Sequence, residues 1–128
     1  MIVLKFGGTS VQNATMMDRA LDIAYTRIND APILVASAMS KITDTLIKLS
    51  AAAADGDGDT AMALLEEIMK RHSNVAKEFL TGSYLEEATK RLDSYKQELH
   101  SLVKGVTLLK ECSKRTLDTI LAFGELLS

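Results

Sequence analysis

Lys5, Phe6, Gly7, Gly8, Thr9 and Ser10 stand directly behind a short apolar run, and their order suits the handling of a phosphate. Glycines let backbone N–H groups come close to an anion, and a helix starting behind them offers its positive end to the same charge. Lysine precedes the glycines here, whereas a Walker A loop places it after them and before Ser or Thr. Lys5 therefore projects from the end of a strand, where ligands bind in parallel α/β folds. The same residues would also make an ordinary strand-to-helix turn with a solvated lysine. A second set, Ala36-Ser37-Ala38-Met39-Ser40-Lys41-Ile42-Thr43-Asp44, puts small and hydroxyl side chains behind another apolar run. Ser37 could sit beside a substrate and Thr43 could donate from a helix N-terminus, although Ser40 or Thr43 would serve equally as a plain helix cap.

Other polar residues carry less. Asp55, Asp57, Asp59 and Glu66 fall at positions 1, 3, 5 and 12 of a calcium-loop pattern, but Thr60 stands where that loop requires glycine. A solvated turn with Asp59 capping a helix is the simpler expectation. His72 lies on an apolar helical stripe and His100 beside Leu99, neither with a second ligand at metal spacing, so both read as hydrogen-bonded structural histidines. Cys112, the single cysteine, sits among Leu108, Leu109 and Leu117 and is expected to be a small buried side chain. One cysteine builds no disulfide framework, which points to a reduced, cytoplasmic protein.

The elements that must position the first two sets follow from periodicity. Ile2, Val3, Leu4 and Phe6 form one short apolar run and Ile33–Ala38, after Pro32, another. Between them Met17, Ala20, Leu21, Ala24 and Ile28 share a helical face, with Thr15 and Asp18 at capping-box spacing. This is a βαβ unit with parallel strands. From Thr43 onward the pattern is helical. Leu46, Ile47, Leu49 and Ala51–Ala54 make one helix, ended by Asp55-Gly56-Asp57-Gly58. Met62, Leu65, Met69, His72, Ala76 and Phe79 stripe the next, which Thr81 and Gly82 break. A capping box, Ser83 with Glu86, opens a third, striped by Leu85, Ala88, Leu92, Tyr95, Leu99 and Leu102. The two stripes predict an antiparallel helical hairpin. A last helix from about Ser113 turns Leu117, Ile120, Leu121 and Leu127 inward.

A composition of 47% hydrophobic and 25% charged residues is that of a globular domain. A net charge of −2 gives no electrostatic case for nucleic acid, and the apolar runs are far shorter than the roughly 20 residues that span a bilayer. Nor does Met1–Phe6, with Lys5 inside it, have the form of a signal peptide. Two parallel strands alone are not a viable core, because both faces need cover and both edges stay open. The final residues to Ser128 are apolar and helical in pattern without a capping signal. The expectation is therefore an incomplete α/β domain: 1–45 a βαβ phosphate and substrate segment, 46–128 mainly helical, with self-association through the open edges into a homo-oligomer.

Lys5-Phe6-Gly7-Gly8-Thr9-Ser10-Val11 resembles the opening motif of aspartate kinases, in the amino acid kinase superfamily. Ser37-Ala38-Met39 with Ile42-Thr43-Asp44 resembles that family's second motif, and Phe123-Gly124-Glu125-Leu126-Leu127-Ser128 its third. Arg71-His72 with Val75-Ala76-Lys77-Glu78 is similar to the family's helical region. The resemblance covers the whole chain and implies the N-terminal part of the catalytic domain.

It implies transfer of the ATP γ-phosphate to the β-carboxylate of aspartate, giving β-aspartyl phosphate, the first step towards lysine, threonine and methionine. Lys5 would contact the transferring phosphoryl group, with Gly7, Gly8, Thr9 and Ser10 forming the ATP phosphate loop. Ser37 and Thr43 would position aspartate, and Glu125 would pair with its α-ammonium. Mg²⁺ would enter with ATP, and no residue of this chain is assigned to it as a ligand. Such catalysis is mostly positioning and charge neutralisation. Ser40 and Lys41 stand where the family often has glycine and one further residue, so a different loop path is expected there. The family's base pocket, a second substrate segment and regulatory domains lie further along, so these residues alone are expected to be inactive. Two rival readings are a non-catalytic helical interaction fragment and a related kinase with another acceptor.

Overall fold

The β-propensity of Ile2–Phe6 and the proline-led run Pro32–Ala36 is realised as two strands, β1 and β2, in a computed structural model that describes all 128 residues. They pair in parallel, in register from Ile2 opposite Pro32 to Phe6 opposite Ala36. Along β1 burial alternates, with Ile2, Leu4 and Phe6 half-buried and Val3 and Lys5 exposed, as the two-residue strand period requires. The second strand stops at Ala36 rather than Ala38, opposite Phe6 where β1 ends, and beyond Gly7 its partner enters a 3-10 turn.

The crossover between them is a 3-10 turn, Gly8–Val11, and helix α1, Ala14–Thr26. Asn13, not Thr15, caps α1, its side chain accepting from the Met16 N–H at 2.9 Å. Ala20 and Ala24 are buried and Met17 half-buried, but Leu21 and Ile28 are exposed, Ile28 lying past the helix end. Ala31, in the left-handed region at φ 49°, turns the chain into Pro32.

Four helices hold the core: α2, Ile42–Ala54; α3, Gly58–Phe79; α4, Gly82–Leu109; and α5, Lys114–Leu127. Leu46, Leu49, Leu65, Ile68, Leu99, Val103, Ile120 and Met39 are its most buried large side chains. The α3 stripe keeps Leu65, Met69 and His72 inside but is wider than the expected one. Ala61 and Ile68 are inside, whereas Met62, Ala76 and Phe79 are half-buried, since α2 and α4 pack on α3 together and widen its apolar face. The α3–α4 pair is the expected antiparallel hairpin, crossed near its middle by a 2.9 Å ion pair from Lys96 to Glu66. Tyr95 meets Phe123 of α5 edge to face, 6.1 Å between centroids.

Two further helix starts differ from expectation. Asp57 rather than Asp59 caps α3, accepting from the Thr60 N–H at 3.1 Å, because Gly56 (φ +80°) redirects the chain just before it. Thr81 precedes α4, so Ser83 and Glu86 lie inside its first turns and do not form the box. Ser113 caps α5 through the Thr116 N–H. No helix is long and apolar enough to cross a membrane.

Candidate functional site

The loops leaving β1 and β2 stay zipped together beyond the strands. Ser37 N–H donates to Phe6 O at 3.0 Å, and Ser40 N–H to Gly8 O at 3.1 Å. At Gly8 this closeness leaves no room for a side chain: a Cβ would stand 2.9 Å from the Ala38 carbonyl oxygen and 3.3 Å from Ser40 N. Gly7 is different. Its backbone is extended and a Cβ there would meet nothing within 4 Å, so neither its conformation nor its packing requires glycine. Ser10 N–H closes the 3-10 turn onto Gly7 O at 2.9 Å. Thr9 is exposed and Ser10 half-buried. Lys5, exposed on the last turnings of β1 opposite Val35, makes none of the chain's ion pairs.

In the second loop Ser37 is half-buried while Ala38 and Met39 are core residues. Lys41 takes the left-handed conformation, φ 69°, and no side chain caps α2. Neither Ser40 nor Thr43 is therefore a helix cap, and the exposed Thr43 hydroxyl is left unengaged one residue inside the helix.

The third motif arrives on α5. Gly124 is buried, and a Cβ on it would lie 2.9 Å from Ala38 Cβ, 3.5 Å from Leu46 Cδ1 and 3.8 Å from Ile42 Cγ2. Helix α5 thus seats directly on the second loop, with Glu125, next in sequence, exposed and free of any ion pair. Ala38 receives Gly8 on its carbonyl and Gly124 on its methyl, so it is the point where the three motifs meet.

Arg71 of α3 has a part in this arrangement that its motif alone did not assign. Its half-buried guanidinium donates from Nη1 to Ser40 O at 2.6 Å and from Nη2 to Gln12 O at 3.1 Å. The neighbouring His72 is buried, and Nδ1 lies 2.7 Å from Ile68 O. That oxygen can only accept, so Nδ1 carries the proton and Nε2 is left without a partner. Burial holds the His72 pKa below its ordinary value. It faces a cavity of about 310 Å³ shared with Met39, Val75, Phe79, Leu92 and Tyr95. His100 is exposed rather than structural, and Cys112 is only half-buried, its thiol pKa pushed up by that burial. Nowhere do three or more His, Cys, Asp or Glu side chains gather as a metal site, the Asp55–Glu66 segment included.

No family model matches the chain. Among curated relatives it is 35% identical to aspartokinase 1, chloroplastic, of Arabidopsis thaliana, across 98% of this chain and 21% of that protein. It is 29% identical to the bifunctional aspartokinase/homoserine dehydrogenase 1, chloroplastic, of Zea mays, across 98% of this chain and 14% of the other. Among solved structures, E. coli aspartokinase III in complex with aspartate and ADP superposes with a TM-score of 0.81 at 25% identity, over 99% of this chain and 26% of that one. The same enzyme with lysine and aspartate gives 0.80. The chain therefore spans about a fifth of the length of the aspartokinases it matches in sequence.

Proposed function

We propose that this chain, a segment of the aspartokinase family, carries the phosphate-gripping and aspartate-holding part of an ATP-dependent aspartate kinase site. The observation that supports this best is the junction on Ala38, where the Lys5–Ser10 loop, the Ser37–Thr43 loop and the Gly124-Glu125 pair converge at the carboxyl end of parallel strands.

In this reading Lys5 supplies an uncompensated positive charge to the transferring phosphoryl group, while Gly7, Gly8, Thr9 and Ser10 present backbone and hydroxyl donors to the ATP phosphates. The unengaged Thr43 hydroxyl and Ser37 position the aspartate, and the unpaired Glu125 carboxylate holds its α-ammonium. Mg²⁺ supplies charge neutralisation on the phosphates. The solved relative bound to aspartate and ADP supports the ligand pair. A reducing compartment suits the single free cysteine, and since the plant relatives are named chloroplastic, the cytoplasm is not the family's only address.

The test is a titration of the ¹⁵N-labelled chain with Mg·ADP and, separately, with aspartate, followed by amide shifts. Mg·ADP is expected to move Gly7, Gly8, Thr9 and Ser10, and Lys5→Ala to weaken the binding of Mg·ATP, which adds the transferring phosphoryl group, by about tenfold or more. Aspartate is expected to move Ser37, Thr43 and Glu125, with Glu125→Gln abolishing the effect. No shifts at millimolar ligand, or unchanged Mg·ATP binding in Lys5→Ala, would overturn the reading.

A further inference from the structure

Side-chain hydrogen bonds between distant parts of this chain are few. Apart from the exposed Lys96–Glu66 pair, the bonds that join residues more than four apart are the two made by Arg71. Both end on backbone carbonyls of the site loops: Ser40, in the second loop, and Gln12, just past the 3-10 turn of the first. Ser40 is gripped from two sides, its N–H on Gly8 O at 3.1 Å and its carbonyl under Arg71 Nη1 at 2.6 Å. The next residue, Lys41, is the strained left-handed one, and no side chain caps the helix it opens. This stretch has little local reason to hold one shape. The planar guanidinium, by contrast, offers rigidly spaced donors that can fix two acceptors at once, which an ammonium cannot.

We infer that Arg71 is a positioning residue: from α3 it clamps the Lys5–Ser10 and Ser37–Thr43 loops in one relative register. It has no carboxylate partner in any of the chain's ion pairs, so its charge stays uncompensated behind the two loops and adds to the field that would attract an anion there. Without the clamp, the Phe6–Ser37 and Gly8–Ser40 backbone bonds remain as the only polar ties between the loops. What the ordered loops hold rests on the aspartate kinase reading, but the clamp itself does not.

The experiment is therefore read without substrate. In the unaltered chain, Arg71 Nη signals are expected to be resolved from one another by NMR, as restricted rotation of a doubly bonded guanidinium requires. A single averaged signal would overturn the clamp. In Arg71→Ala, hydrogen exchange at Ser37, Ser40 and Ser10 amides is expected to rise by about tenfold or more, corresponding to about 1.4 kcal/mol. Core amides of Leu65 and Leu99 should keep their protection, and millimolar guanidinium ion should restore the slow exchange. Arg71→Lys, which keeps the charge, is expected to fall between the two and serves if the alanine variant does not fold. Loop exchange that rises no more than that of the core, or that guanidinium leaves unchanged, would contradict the inference. Failure of Mg·ADP to bind an otherwise clamped chain would count against the proposed function alone.

Discussion

Gly124 and Ala38 touch so closely that a Cβ on the glycine would stand 2.9 Å from the alanine methyl. This single contact seats α5, and with it Glu125, on the loop that carries Ser37 and Thr43. Gly124→Ala would gain roughly 1 kcal/mol of helix propensity in a solvent-exposed helix. Here the overlap with Ala38, and the Leu46 and Ile42 side chains behind it, is expected to win and to destabilise the chain by about 1–3 kcal/mol. Adding Ala38→Gly should recover most of that loss, measured as urea midpoints of the two single variants and the double. Additive losses would mean that the contact does not limit the packing.

Burial of neutral His72 ties stability to pH. Its folded pKa is below the ordinary value, so below about 6.5 the unfolded chain binds more protons than the folded one. Stability is then full above that pH and falls as the pH drops through it, by at most about 1.4 kcal/mol per pH unit from this group. His72→Leu should flatten the slope between pH 5 and 7 in urea melts. A slope identical in both proteins would remove His72 as its source.

The sheet leaves Val3, Ile33, Leu34 and Val35 exposed, at 44–63% of their full areas, beside two unpaired strand edges. Such a surface associates with itself when nothing else covers it. The 128-residue chain is expected to show concentration-dependent mass by light scattering, reduced by Ile33→Lys or Val35→Lys. A monodisperse monomer at all concentrations would contradict this.

Much of this arrangement is legible from residues alone, for physical reasons that differ by element. The βαβ order and the antiparallel hairpin follow from apolar period, which burial enforces at every turn. Cap positions do not follow so easily: Asp55, Asp57 and Asp59 offer the same chemistry two residues apart, and only the left-handed Gly56 selects Asp57. The widened face of α3, with Ala61 and Ile68 added to Leu65, Met69 and His72, reflects α2 and α4 packing on it together, a tertiary fact absent from the local pattern. Lys5, Ser37, Thr43 and Glu125 stand out as candidates because their motifs are contiguous. Arg71 acts across 31 and 59 residues on backbone carbonyls, which have no side-chain identity to read. Its neighbour in sequence is a buried histidine, and nothing in that pair signals a clamp.

The central claim is best tested by exchanging segments. In Arabidopsis aspartokinase 1 the stretch matching this chain, about a fifth of the protein, is replaced by residues 1–128. ATP-dependent formation of aspartyl phosphate is then trapped as the hydroxamate. The expected result is turnover by the chimera, a loss of about a hundredfold or more on Lys5→Ala, and none by the 128 residues alone. A chimera that melts cooperatively yet makes no aspartyl phosphate, or one indifferent to Lys5→Ala, would contradict the account.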